Sequence, residues 1–103
     1  MLLKGDCADP NIINEVKKWI GDNKFGLIMI DADGYVSRDI ENFAQFAYHH
    51  CYLVIDDYIS EEAKEKSDRI KPYIDRMVAE GKLRRFGVYG WGTWVGQLVG
   101  DRI

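Results

Sequence analysis

The sequence has few cysteines, few prolines and no long hydrophobic run. Its 103 residues include two cysteines, Cys7 and Cys51, and two prolines. Two cysteines so far apart provide neither a disulfide framework nor a CxxC metal site, so we expect reduced thiols and a cytoplasmic protein. The longest apolar runs, residues 27–30 and 52–55, are far too short to cross a bilayer, and the N-terminus lacks the pattern of a secretion signal. We therefore expect no membrane partner.

The sequence also lacks a strong excess of charge of either sign. Fourteen basic and 17 acidic residues give a formal net charge of -3, which predicts no binding to nucleic acid. Hydrophobic residues make up 47% of the chain and aromatic residues 13%, enough for a packed core. A chain of this length buries roughly two-thirds of its unfolded surface. Residues 1–103 are therefore expected to form one domain or part of one.

The first part of the chain predicts a helix followed by a buried strand. Asp9 and Pro10 are typical of the first positions of a helix, and Gly21 is typical of its end. Between them, apolar residues recur at helical spacing. The run FGLIMI then predicts a strand that is buried on both faces. Leu2 and Leu3 indicate the end of an earlier strand.

The middle of the chain predicts a second helix, a strand and a third helical region. Ser37 is expected to cap the second helix, whose buried face would extend to Ala47. The apolar residues 51–55 predict the strand. Ser60 and the two glutamates after it predict the start of the third helical region. Pro72 predicts a kink in that region or its division into two helices.

The last part of the chain predicts a β-hairpin. Residues 84–99, RRFGVYGWGTWVGQLV, alternate in polarity and carry Gly90 and Gly92 between two arms rich in aromatic and β-branched residues. Strands that alternate with helices indicate an α/β fold with parallel strands and right-handed crossover helices. The predicted fold is thus a parallel α/β sheet extended by a C-terminal antiparallel hairpin.

Acidic residues follow two successive strands of the predicted sheet. Asp31 and Asp33 follow the first strand, and Asp56 and Asp57 follow the second. The carboxyl ends of parallel strands, where open α/β sheets bind ligands, lie at one edge about 4.8 Å apart. Carboxylates so close repel one another, and a hard divalent cation such as Mg²⁺ or Ca²⁺ relieves that repulsion. Their position thus indicates a possible divalent-metal site.

Several enzyme classes place acids in this way. The segment IMIDADG resembles the DxDG motif of haloacid-dehalogenase-like phosphatases, which would make Asp31 a nucleophile and Asp33 an acid/base. That family requires a later acidic pair, whereas Asp56 follows Asp31 by only 25 residues. LVIDDY is similar to a Walker B strand, but the chain has no GxxxxGK[ST]. The short DxD pattern also occurs in glycosyltransferases. The phosphatase stays open as an alternative function.

Four segments in order resemble another family over nearly the whole chain. They are KGDCADP, IMIDADG, LVIDDY and GVYGWGTWVGQL. Residues 2–99 resemble the C-terminal half of a class I S-adenosylmethionine-dependent methyltransferase, with its partial Rossmann-like sheet. The branch that it resembles most includes cephalosporin-hydroxylase-like proteins and the metal-dependent catechol and caffeoyl-CoA O-methyltransferases. The resemblance implies a methyl transfer to a small-molecule acceptor.

The resemblance also implies roles for particular residues. It assigns a divalent metal, Mg²⁺ or Ca²⁺, to Asp31, Asp56 and Asp57. It places Asp6 and Cys7 in the turn that lines the adenine of the cofactor, and Asp31 is expected to face the cofactor as well. Asp57 stands where the O-methyltransferases often have asparagine. A site built only of carboxylates is therefore a departure from the pattern of that branch.

Two further expectations follow from the resemblance. Asp33 would lie near the substrate as a base or as a group that orients a ligand, which makes Asp31 and Asp33 the candidate catalytic pair. The family's glycine-rich cofactor loop has no counterpart in this sequence. We therefore expect the isolated chain to be inactive: either it is a fragment of a larger methyltransferase, or the missing N-terminal half is supplied from elsewhere. The alternative is a non-enzymatic α/β module that forms a homo-oligomer through an exposed sheet edge.

Overall fold

The sheet and its helices follow one another along the chain in nearly the predicted order. The computed structural model describes residues 2–100. The elements are α1 (Pro10–Ile20), β1 (Phe25–Ile30), α2 (Val36–Ala44), β2 (Ala47–Ile55), α3 (Lys64–Ala79), β3 (Leu83–Tyr89) and β4 (Thr93–Leu98). The prediction of a strand end at Leu2 and Leu3 is wrong, since these residues are in no regular element.

Four strands form one mixed sheet in the order β1-β2-β4-β3. β1 and β2 are parallel and are joined through α2, whereas β4 is antiparallel to both β2 and β3. The hairpin therefore places its second strand, not its first, against β2. This arrangement confirms the predicted α/β fold with a C-terminal antiparallel hairpin.

The core lies on one face of the sheet, beneath α2 and α3. Alternate residues of β2 and β4 point into it, and both helices contribute aliphatic side chains. The side chains that are almost completely buried are Val36, Ile40, Cys51, Leu53, Ile55, Ile74 and Trp94. The two helices therefore cover this face of the sheet.

The opposite face of the sheet, which we call the outer face, is largely uncovered within residues 2–100. Leu27 and Met29 on β1 are 58% and 66% exposed, and Tyr52 on β2 and Phe86 on β3 are about half exposed. The rings of Tyr52 and Phe86 have centroids 6.0 Å apart on this face. The prediction that β1 is buried on both faces is therefore wrong. A continuous apolar run in the sequence does not indicate whether helices cover both faces of the strand or only one.

The start of α2 differs from the prediction. Ser37 lies inside the helix and does not cap it, since the N-cap position belongs to Tyr35, which makes no side-chain capping bond. The carboxylate of Asp33 instead accepts a hydrogen bond from the Tyr35 N–H (3.2 Å) and forms the turn before the helix. Ala47 is buried, but as the first residue of β2 and not as part of the helix.

The third helical region also differs from the prediction. Ser60 does not begin the helix; its hydroxyl accepts the Ala63 N–H (2.9 Å) in a turn, and α3 starts at Lys64. One helix then continues through Pro72 to Ala79, so the predicted division into two helices is wrong. Pro72 is exposed, so water can solvate the carbonyl that loses its donor there. Among the described residues, no helix has the length and apolarity needed to cross a membrane.

Candidate functional site

Three carboxylates meet at the carboxyl ends of β1 and β2. Ligand atoms of Asp31, Asp56 and Asp57 all lie within 4.8 Å of one another. The parallel register aligns Ile30 with Ile55, so the residues that follow them are neighbours. The Asp56 N–H donates to the carbonyl of Ile30 (3.0 Å) and extends this pairing. We call these three residues the carboxylate cluster.

Several groups orient the carboxylate cluster. The Thr93 hydroxyl on β4 donates to Asp56 Oδ1 (3.2 Å), and the Asp57 N–H donates to the same oxygen (2.9 Å). Asp57 itself has φ 60°, a left-handed conformation that is uncommon for a residue other than glycine. Lys66 Nζ lies 3.7 Å from Asp57 Oδ2. One ammonium facing three carboxylates leaves a net negative charge, and a set of oxygens in this position suits a hard divalent cation.

Asp33 is directed to a different partner. Its Oδ1 accepts a hydrogen bond from Arg38 Nη2 (2.9 Å) and the Tyr35 N–H. The hydrogen bond from Arg38 lowers the pKa of Asp33 below its usual value, and the Tyr35 N–H contributes to this shift. A carboxylate held in its ionised form is a weak proton donor. This environment disfavours Asp33 as a general acid, and its role near the substrate stays a prediction.

A groove runs along the side of β1 that pairs with no strand within residues 2–100. It has a volume of about 380 Å³ and is lined by β1 together with Cys7, Asp31, Ala32, Asp39 and Phe43. Asp31 thus belongs both to the groove and to the carboxylate cluster. Cys7, predicted beside the cofactor, lines the groove, whereas Asp6 does not line it and accepts the Ala8 N–H (2.8 Å) in an exposed turn.

Asp39 is a buried acid at the groove that sequence reasoning missed. It is 4% exposed and accepts hydrogen bonds at Oδ1 from Arg38 Nε (3.0 Å) and the Cys7 thiol (3.3 Å). Burial raises the pKa of that thiol and the bond to Asp39 adds to the effect, so Cys7 stays a neutral donor. The helical periodicity of the sequence could have indicated that Asp39 is buried, because this residue lies three positions after Val36 and next to Ile40, on the apolar face of α2.

A second cavity lies on the other side of the carboxylate cluster. It has a volume of about 840 Å³, and Asp56 and Asp57 form part of its wall. The rest of the wall includes Ile59, the glutamates after Ser60, and the hairpin turn with Trp91, whose side chain is 99% exposed. The carboxylate cluster therefore borders two cavities, one through Asp31 and the other through Asp56 and Asp57.

The comparison with solved structures found a similar fold. The crystal structure of a putative O-methyltransferase from Klebsiella pneumoniae matches with a TM-score of 0.54 and 20% sequence identity. The match covers 84% of this chain but only 46% of that protein, so this chain spans about half of its length. No family model matches the sequence, and no curated protein matches it. The likeness shows that this chain has a methyltransferase-like α/β fold.

Proposed function

We propose that this chain is the C-terminal part of a metal-assisted, S-adenosylmethionine-dependent methyltransferase that acts on a hydroxyl of a small molecule. The observation that carries the proposal is the position of Asp31, which lines the groove and also belongs to the carboxylate cluster. A cofactor in the groove and an acceptor in the second cavity would meet at the cluster. The likeness in fold to the Klebsiella protein supports the same reaction class.

In this proposal, each residue of the site has a separate role. Asp31, Asp56 and Asp57 would hold a Mg²⁺ or Ca²⁺ ion, which acidifies a coordinated hydroxyl of the acceptor when it is bound. Thr93 orients Asp56 through its hydrogen bond. The groove would orient the cofactor so that its methyl group faces the acceptor, and positioning of this kind contributes much of the rate of bimolecular reactions in enzymes.

The glycine-rich loop expected of this family is absent from the described fold, as it is from the sequence. We therefore expect residues 1–103 alone to bind the cofactor weakly and to show no methyl transfer. The N-terminal half of the domain would be supplied by a longer polypeptide that contains these residues or by a separate one. The choice of branch, close to the cephalosporin-hydroxylase-like and catechol-type enzymes, rests on the sequence motifs alone.

Metal titration tests the proposal directly. In calorimetry with Mg²⁺ and with Ca²⁺ at millimolar concentration, we expect binding that weakens at least about tenfold in Asp31→Asn, since one of three ligands is lost. Asp22→Asn is the matched control, because Asp22 is an exposed acid in the turn before β1 and outside the cluster. No binding by the wild-type chain, or equal binding by Asp31→Asn, would contradict the proposal.

An experiment on the same chain distinguishes the phosphatase alternative from the proposed methyltransferase. A haloacid-dehalogenase-like enzyme would form a beryllofluoride adduct on Asp31 in the presence of Mg²⁺, because that residue would be its nucleophile. We expect no adduct, since the proposed function uses Asp31 as a ligand. Formation of the adduct, detected by ¹⁹F NMR and lost in Asp31→Asn, would contradict the proposed methyltransferase function and support a phosphatase.

A further inference from the structure

We infer that Tyr58 and Asp75 are positioning residues of the carboxylate cluster: their hydrogen bond holds the turn at Asp57 and so sets how well the cluster fits Mg²⁺. The inference rests on the proposed function, in which the cluster binds a divalent cation. It adds two residues that neither the sequence motifs nor the family resemblance indicated. It also predicts a difference between Mg²⁺ and Ca²⁺ that can be measured without any methyl transfer.

The turn at Asp57 brings two successive carboxylates to one point. In an extended strand, successive side chains point to opposite faces of the sheet. Asp56 and Asp57 directly follow β2, yet their ligand atoms lie within 4.8 Å of each other. Asp57 has φ 60°, and this left-handed conformation turns the chain where the strand would otherwise continue. Such a conformation is disfavoured for a residue other than glycine, and it persists only where the surrounding structure holds it.

Tyr58, the residue after Asp57, anchors this turn to α3. Its side chain is 2% exposed and belongs to the hydrophobic core. Its hydroxyl donates a hydrogen bond to Asp75 Oδ1 on α3. Polar groups in the interior that are all hydrogen-bonded make the surrounding structure rigid. The ring is thus held along its length and at its hydroxyl, and the backbone that joins it to Asp57 is held with it.

Asp75 is itself held by a lysine. Lys71 Nζ lies 2.7 Å from Asp75 Oδ2, so each oxygen of this carboxylate has its own donor. Burial opposes ionisation of Asp75, but hydrogen bonds from Lys71 and Tyr58 lower its pKa overall. Burial raises the pKa of Tyr58, and the bond to Asp75 adds to this shift, so Tyr58 stays the donor. A hydrogen bond to an ionised acceptor is stronger than one between neutral groups.

α3 makes a second contact with the turn through Lys66, whose Nζ lies 3.7 Å from Asp57 Oδ2. A divalent cation in the cluster would compete with this ammonium for the same carboxylate, since the two positive charges repel. The hydrogen bond between Tyr58 and Asp75 involves no atom of the cluster, so cation binding leaves it intact. It is therefore the contact with α3 that can orient Asp57 when a cation is bound.

The two candidate cations respond differently to a loosened turn. Mg²⁺ requires near-octahedral geometry with oxygens at about 2.0–2.1 Å, whereas Ca²⁺ accepts a flexible set of oxygens at about 2.3–2.6 Å. A variant that only destabilises the fold lowers the folded fraction, and so weakens the apparent affinities for both cations by the same factor. A change in the ratio of the two affinities therefore reports the geometry of the site and not the stability of the fold.

Calorimetric titration of Tyr58→Phe tests the inference, because phenylalanine keeps the buried ring and removes only the hydroxyl. We expect Mg²⁺ to bind about tenfold more weakly than to the wild-type chain, and Ca²⁺ no more than about threefold more weakly. Tyr73→Phe is the matched control, because Tyr73 also packs against the core but its ring contacts Arg76 on α3. It is expected to leave both affinities unchanged.

Asp75→Ala removes the acceptor of the same hydrogen bond, and it decides the question if Tyr58→Phe fails to fold. It is expected to show the same selective loss of Mg²⁺ affinity. Asp68→Ala is its control, because Asp68 is also an α3 aspartate paired with the lysine four residues before it, Lys64 (3.5 Å). This control removes an equal charge and leaves Tyr58 bonded. Equal losses for the two cations, unchanged Mg²⁺ affinity, or the same effect in a control would overturn the inference.

The inference and the proposed function fail in different ways. Cation binding that depends on Asp31 but not on Tyr58 or Asp75 would reject the inference and leave the proposed function standing. Absence of Mg²⁺ and Ca²⁺ binding by the wild-type chain would reject both.

Discussion

At the scale of single residues, the carboxylate cluster depends on a hydroxyl from another strand. Thr93 on β4 donates to Asp56 Oδ1, and it thereby joins the hairpin to the end of β2. Groups that orient a metal ligand typically change metal affinity by 10- to 100-fold when they are removed. We therefore expect Thr93→Val to weaken Mg²⁺ binding about tenfold in calorimetry.

Thr93→Ser separates the hydroxyl from the rest of the side chain. Serine keeps the donor, so this variant is expected to bind Mg²⁺ nearly as the wild-type chain does. If the serine and valine variants lost affinity equally, the effect would come from packing in β4, and the assigned role of the hydroxyl would be wrong.

The proximity of Asp31, Asp56 and Asp57 could be predicted because it depends on a general property of parallel strands. Residues that follow adjacent parallel strands lie at the same edge of the sheet. The contacts of Asp33 and Asp39 could not be predicted in the same way. Both depend on Arg38, whose direction is set by the turn before α2 and by the placement of Cys7, 31 residues away along the chain. Metal binding itself stays a prediction.

At the scale of elements, the turn of the hairpin fixes the loop that carries Asp56 and Asp57. The Ile59 N–H donates to the carbonyl of Gly92 (3.2 Å), and a Cβ at Gly92 would lie 1.9 Å from the carbonyl oxygen of Ile59. Gly92 also has φ 116°, which side chains rarely allow. We expect Gly92→Ala to reduce the free energy of unfolding by about 2–4 kcal/mol, measured by urea denaturation.

Gly90 provides a control within the same turn. It has φ 56°, but an added Cβ there would meet no atom within 4 Å. Gly90→Ala is therefore expected to cost only about 1–2 kcal/mol, from the left-handed conformation alone. Equal losses in the two variants would show that the close approach of the hairpin to Ile59 does not matter for stability.

The elements themselves were predicted unevenly. The hairpin could be predicted because glycines at its turn and alternation in its arms are both local signals. The first residues of α2 and α3 could not be predicted. A serine such as Ser37 or Ser60 suits the N-cap position, but its hydroxyl is equally suited to other hydrogen bonds. The structure uses Asp33 to make the turn before α2, and Ser60 to make a turn that ends at Ala63, the N-cap of α3.

At the scale of the whole molecule, the structure has a covered face and an open one. β1 pairs with β2 on one side, and within residues 2–100 no strand pairs with its other side. Open edges and apolar faces favour association with another polypeptide. This is the physical basis of the two expectations about partners, a missing N-terminal half or a second copy, and both stay predictions.

The outer face sets how strongly two copies would associate. Its four large side chains are each about half exposed, which amounts to an apolar patch on the order of 400 Å². Two copies packed face to face would then bury on the order of 800 Å², below the 1,200–2,000 Å² of stable specific interfaces. We therefore expect weak, reversible dimers, visible in sedimentation velocity as an average mass that rises with concentration.

The double variant Leu27→Gln/Met29→Gln tests this expectation, because it removes the two most exposed apolar side chains of the outer face on β1. It is expected to sediment as a monomer at concentrations where the wild-type chain begins to associate. Trp19→Gln is the control, since Trp19 is 57% exposed but lies on α1. A wild-type chain that is monomeric at every concentration, or an equal effect of the control, would exclude the outer face as a contact between copies. Any polypeptide that covers the outer face would then differ in sequence from this chain.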